Sequence, residues 1–157
     1  MNVASKACLI LSLGLAFAAA HAQEAAAEAT TPPTAVGPAT SVIGAAPEGK
    51  AQIVFFRASK FTGAAIGFIV REGQTELGKL RNGNYFVATV EPGTHEYTVH
   101  SEAKDVLTLE VEAGETYYVQ GSISMGFMAG RPNLSPSDQA AFEAIATKLK
   151  PSKPLDN

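Results

Sequence analysis

Leu80-Arg81-Asn82-Gly83-Asn84-Tyr85-Phe86-Val87-Ala88-Thr89-Val90-Glu91-Pro92-Gly93-Thr94-His95-Glu96-Tyr97-Thr98-Val99-His100-Ser101 decides the fold of this chain. Asn82-Gly83 offers the positive φ of a tight hairpin, and Pro92-Gly93 offers a fixed φ followed by a free one. Between and after these turns the apolar residues alternate. Phe86, Ala88 and Val90 fall on one face of a first strand, Tyr97 and Val99 on one face of a second, which is the period of a half-buried antiparallel sheet.

The same idiom runs outward in both directions. Ala51 to Arg57 is apolar on both faces, with Ile53 and Phe55 on one and Val54 and Phe56 on the other, so it belongs inside a sheet or under a helix. Ser59 to Gly63 reads as a turn, and Ala64 to Glu72 as a strand with Ile66, Phe68 and Val70 in register. Gly73-Gln74 reverses the chain into Thr75 to Leu80. Downstream, Asp105 to Glu112 points Leu107, Leu109 and Val111 inward, Gly114 turns, and Glu115 to Ser124 brings Tyr117, Val119 and Ile123 to one face. Adjacent Tyr117 and Tyr118 must point to opposite faces, which turns one of them away from the core. A single sheet would leave a whole apolar face in water, so about seven short strands predict a mainly β fold, an antiparallel β-sandwich.

Met125 to Leu134 breaks the alternation and reads as an apolar loop. A helix is expected next, with Ser135 as N-cap, Pro136 in the first turn and Asp138 three residues after the cap. Phe142, Ile145 and Leu149 form its docking face, and Pro151 ends it, leaving 151–157 as a tail.

The N-terminal part reads differently. Met1 to Ala22 carries one basic residue, Lys6, then an uncharged run from Ala7 to Ala20 and the small-residue pattern Ala20-His21-Ala22, the marks of a secretory signal cleaved before Gln23. The run falls short of the roughly 20 apolar residues needed to span a bilayer. Cys8, the single cysteine, lies near its start and so cannot be the acylated first residue of a mature chain. Removal of the signal leaves no thiol for a disulfide, so the core must hold the fold. Gln23 to Gly49, rich in Ala, Thr and Pro, reads as a disordered linker before a domain spanning 50–150. The expected destination is the periplasm or the exterior.

Twelve basic residues, one of them Lys6, stand against 15 acidic ones. No basic stripe or aromatic-basic interleaving occurs, which argues against nucleic acid and against strong adsorption to anionic lipid. Lys50 to Arg57, Asn82 to Phe86 with Val90 to His95, and Glu112 to Val119 together resemble the bacterial extracytoplasmic family called domain of unknown function 2846. That resemblance spans roughly Lys50 to Lys150. It implies a transthyretin-like or carboxypeptidase-regulatory-like β-sandwich and supplies no catalytic or binding residues. Many members look like lipoproteins, and this sequence departs from them in lacking a usable lipobox.

Chemistry has few places to sit. His95 and His100 are five apart on one strand and face opposite ways, so they cannot share a metal. Glu110 and Glu112 share a face near Glu115, as solvent-facing acids on any half-exposed strand do. Ser122 and Ser124 lie beside Gly121 and Gly126 without the spacing of a nucleophile elbow. No catalytic residue, cofactor or metal is expected. The reading is an exported, monomeric, non-catalytic binding or accessory module of the cell envelope, whose partner is an envelope protein or glycan. The alternatives are a membrane-associated or structural assembly component using loop 125–134, and an uncharacterised hydrolase. Candidate partner-binding residues are Phe127, Met128 and Arg131. Burial of Phe127 against Phe142 or Ile145 would instead make that loop a lid on the core.

Overall fold

The structure, a computed structural model, describes residues 42–100, 104–126, 130–153 and Leu155. The signal at 1–22, most of the Ala/Thr/Pro segment, and Phe127 and Met128 lie outside the described residues.

The doubly apolar strand is the centre of the molecule. Strand β1 (Ala51–Arg57) is buried along its whole length. It pairs antiparallel with β4 (Asn84–Val90) and parallel with β7 (Thr116–Met125). Strand β8 (Gly130–Ser137) lies outside β7, and the two-residue β9 (Lys150–Pro151) outside β4, giving the order β8-β7-β1-β4-β9. A second sheet contains β2 (Phe68–Glu72), β3 (Thr75–Leu80), β5 (Gly93–His100) and β6 (Lys104–Val111) in the order β3-β2-β5-β6. Among the described residues, nine strands in two mostly antiparallel sheets, with one helix, make a β-sandwich.

The two faces of β1 seed two cores. Ile53 and Phe55 join Phe68, Val70, Leu80, Tyr97, Val99, Val111 and Val119 between the sheets. Phe55 stacks on Phe86 at 5.0 Å and meets the edge of Tyr97 at 5.1 Å. Val54 and Phe56 point the other way, where helix α1 (Gln139–Ala146) lays Phe142 against Phe56, Tyr85 and Tyr118. Each such side chain gains about 1.5–3 kcal/mol on leaving water. Tyr118 does face away from the inter-sheet core, yet the helix covers it and only 8% of it is exposed. Packing also reaches further upstream than Lys50. Ile43 is buried in the cluster under the helix, and the Gln52 side-chain amide donates to the Gly44 carbonyl.

Local bonds secure the corners. The Tyr117 hydroxyl accepts from the Glu112 amide at 3.0 Å, tying β7 to the turn before it. Asp105 Oδ2 accepts from the Leu134 amide at 2.8 Å, fastening the edge of the second sheet to β8 of the first.

Four expectations need correction. The helix expected to run to Pro151 ends at Ala146 with Thr147 as its C-cap, so Leu149 packs under it from beyond its end and Pro151 belongs to β9. The strand after β1 begins at Phe68 rather than Ala64, and Ile66 sits in the preceding loop with 36% of its surface exposed. The stretch expected as an apolar loop up to Leu134 becomes, from Gly130, a strand paired with β7 in the register Gly121↔Leu134 and Ser122↔Asn133. Gly130, Pro132 and Leu134 face inward. The helix cap therefore shifts. Ser135 and Pro136 belong to β8, and Asp138 is the N-cap, its carboxylate accepting from the Ala141 amide at 2.7 Å.

Candidate functional site

Arg57 ends β1, and its alternation with Ile53 and Phe55 sends its side chain into the space between the sheets rather than toward water. Only 2% of it is exposed. Its Nη1 donates to the Ile66 carbonyl at 2.6 Å and its Nη2 to the Gly63 carbonyl at 2.7 Å, while the guanidinium carbon lies 5.7 Å from the centre of the Phe68 ring. Burial pushes the guanidinium pKa down from its ordinary value, which still leaves a cation at neutral pH.

Those two carbonyls belong to the loop between β1 and β2, so the loop is clamped from below. Turn bonds from the Ala64 amide to the Phe61 carbonyl and from the Ile66 amide to the Gly63 carbonyl stiffen it from within. The Lys60 amide donates to Asn82 Oδ1 at 2.9 Å, fixing the loop to the β3–β4 turn. The loop also leans on the β7–β8 hairpin. A Cβ at Gly63 would meet Ile123 at 2.9 Å, and one at Gly130 would meet Ile66 at 2.5 Å, so both glycines permit the close approach. At the tip stands Phe61, 99% exposed, with Met125 of the neighbouring hairpin 77% exposed. Lys60 and Thr62, on either side of Phe61 in the chain, line a cleft of about 60 Å³ together with Arg57, Gln120, Ser122 and Ile123.

A second cluster lies on the other sheet. His95 Nδ1 is 2.5 Å from Glu72 Oε1, and His95 Nε2 is 2.8 Å from the Glu91 carbonyl. The ring lies nearly parallel to Tyr97, 6.0 Å away. Burial disfavours the imidazolium, but hydrogen bonds to Glu72 and the Glu91 carbonyl, with the Glu72 charge, outweigh it and raise the His95 pKa. Burial, then the same carboxylate, pushes the Tyr97 phenol well up.

Among the described residues no group of three His, Cys, Asp or Glu side chains stands ready to hold a metal ion. No described helix is long and apolar enough to cross a membrane. The family model for "Protein of unknown function (DUF2846)" matches residues 47–132. The chain belongs to this family. The matched segment contains the whole β1–β2 loop and β7, so the clamp, the cleft and the His95 pair all lie inside it, while α1 and β9 lie beyond. Neither the curated proteins nor the solved structures give a match.

Of the candidate residues read from the sequence, Phe127 and Met128 lie outside the described residues, and with them the lid reading. Arg131 is exposed on β8 and lines a shallow groove with Lys104, Asp105, Ser124 and Asn133, a place separate from the Arg57 cleft. His95 and His100 do face opposite ways, the first half-buried and the second exposed. Sequence reasoning missed Phe61 and Arg57. The available signal was a phenylalanine between Lys60 and Thr62, in a turn where no strand period could bury it.

Proposed function

We propose that this chain is an exported, monomeric, non-catalytic binding module of the bacterial cell envelope that meets its partner through the β1–β2 loop. The observation that carries the reading is Phe61, 99% exposed at the tip of a loop held by Arg57, Asn82 and its own turns. Leaving a phenylalanine in water forgoes about 1.5–3 kcal/mol of burial. A loop already fixed in place loses little further entropy on binding, so an aromatic presented this way suits a contact anchor. Met1 to Ala22 supports export. The absence of catalysis draws support from His95, which spends both ring nitrogens on Glu72 and Glu91 and so keeps none for a substrate.

A photoreactive phenylalanine analogue placed at position 61 of the exported chain tests this in living cells. The expected result is a discrete covalent adduct at 61 and none from the same analogue at Thr108, an exposed position on β6. Equal labelling at both positions, or none at 61, overturns it.

A further inference from the structure

We propose that the end of the sandwich bearing Phe61 docks on an anionic lipid bilayer, Phe61 and Met125 entering the headgroup region while the cations around them rest on the charged surface. The proposal rests on the binding reading above and names its partner.

Strand direction sorts the charges of the domain to its two ends. Strands β1 and β7 run toward the Phe61 end and β4 returns from it; in the other sheet β3 and β5 run toward it and β2 and β6 away. Lys60 and Arg81 therefore lie in connections at that end, with Lys79 just before Arg81, Lys104 opening β6, Arg131 second in β8 and Lys150 beside Asn84. Among the described residues Asp105 is the carboxylate there, and its Oδ2 already accepts from the Leu134 amide and the Asn133 side chain. Glu102, between β5 and β6 in the sequence, lies outside the described residues. The opposite end is acidic. Glu72, Glu91, Glu112 and Glu115 stand at its turns, and its Lys50 pairs with Glu91. These cations are scattered along a chain of net charge −3, so no stripe shows in the sequence and only the fold gathers them.

The gathered cations surround the exposed apolar side chains. A Cβ at Gly67, in the loop that carries Phe61, would meet the stems of Arg81 at 3.2 Å and Lys79 at 3.4 Å. Arg131 follows Gly130, the residue against which Ile66 of that loop packs. Phe61 is 99% exposed, Met125 77% and Ile66 36%. Lys60, Lys79 and Arg81 form no ion pair among the described residues, while Lys104 reaches Glu96 only at 3.8 Å. Long cationic side chains on separate elements share no geometry that would grip a single anion. They match a fluid sheet of negative charge, which meets each of them wherever it points. A few inserted apolar side chains hold a membrane only marginally, and stable attachment takes a second signal, which basic residues at the surface supply. Phe61 with Met125 is the first signal and this end's charge the second.

Phe61→Trp gives the test its probe, because the chain has no tryptophan and position 61 is outside the core. The exported chain carrying it is titrated with vesicles of mixed phosphatidylglycerol and phosphatidylcholine, and with phosphatidylcholine alone. A blue shift of the emission, with quenching by brominated acyl chains, is expected on the mixed vesicles only and should be reversed by about 0.5 M sodium chloride. Lys60→Gln with Arg81→Gln should weaken the apparent affinity roughly tenfold or more. Gln74→Glu, in the β2–β3 turn, adds one negative charge at the acidic end and should change the affinity by less than about twofold. The eight residues of β5 put the two ends roughly 25 Å apart, beyond the about 10 Å over which salt screens exposed charges. No shift on mixed vesicles, an equal shift on phosphatidylcholine alone, or equal weakening by Gln74→Glu overturns the proposal. The photoadduct at position 61 then separates the two readings. A phospholipid mass supports both. A protein-sized adduct without vesicle binding leaves the binding reading and sinks the lipid surface, and vesicle binding with no adduct in cells does the reverse.

Discussion

His95 Nδ1 lies 2.5 Å from Glu72 Oε1 while the other ring nitrogen lies 2.8 Å from the Glu91 carbonyl, so both nitrogens face acceptors. A neutral imidazole carries one proton and can satisfy only one of them, whereas the imidazolium satisfies both. The folded chain therefore favours the charged ring, in line with its raised pKa. An unfolded histidine titrates near 6.5. The stabilisation is then fully present below that value and is lost as pH rises through the higher folded value. Urea midpoints measured from pH 5 to pH 9 should show the native chain losing more stability toward the alkaline end than Glu72→Gln. Parallel curves would mean that the pair is not formed in solution.

How much of this was legible follows from the range of each signal. Leu107, Leu109 and Val111 alternate within one strand, and Ile53 to Phe56 fill both faces of another, so a local period revealed them. Strand β8 hid because its inward positions are Gly130, Pro132 and Leu134, and two of those residues usually mark loops. Prolines are tolerated there because β8 is an edge strand, bonded on one side to β7 alone. Ser135-Pro136 then imitated a helix start three residues early, until the real cap at Asp138. Glu72 and His95 were out of reach for another reason. They meet only because β2 pairs with β5, across an intervening hairpin, and neither residue carries a local mark of that pairing.

Gly78 faces Phe86 across the sandwich, and a Cβ there would lie 2.7 Å from the ring. Phe86 cannot retreat freely, since it stacks on Phe55 at 5.0 Å. Gly78→Ala should therefore cost about 1–3 kcal/mol, as added bulk in a packed core does. Gly44→Ala, where no atom lies within 4 Å, should change the denaturation midpoint little by comparison. Equal midpoints for the two variants would contradict the close approach of β3 and β4.

Phe142 holds the helix to the sheet through three aromatic neighbours, Phe56, Tyr85 and Tyr118, and is fully buried. Phe142→Ala should lower unfolding free energy by about 3–5 kcal/mol. Ala144 is exposed on the same helix, and Ala144→Ser should move stability by less than about 0.5 kcal/mol. Chemical denaturation of both variants checks the pair. A small loss at Phe142 would mean that the second core contributes little to holding the domain together.

Arg57 separates bracing from charge. Arg57→Met keeps an apolar stem against Phe68 but leaves the Gly63 and Ile66 carbonyls without their donor, at a cost of about 1–3 kcal/mol where such groups stay buried. Arg57→Lys restores the charge without the planar fork, so one ammonium cannot reproduce both bonds in the same geometry. If the brace is what matters, both variants should accelerate hydrogen exchange at the Ala64 and Ile66 amides, whose turn bonds depend on the loop holding its shape. Amides of β5 and β6, in the other sheet, should exchange as before. Should Arg57→Lys protect the loop as fully as arginine does, the clamp is electrostatic rather than geometric, and Phe61 is held at the tip of the domain by its turns and by Asn82 alone.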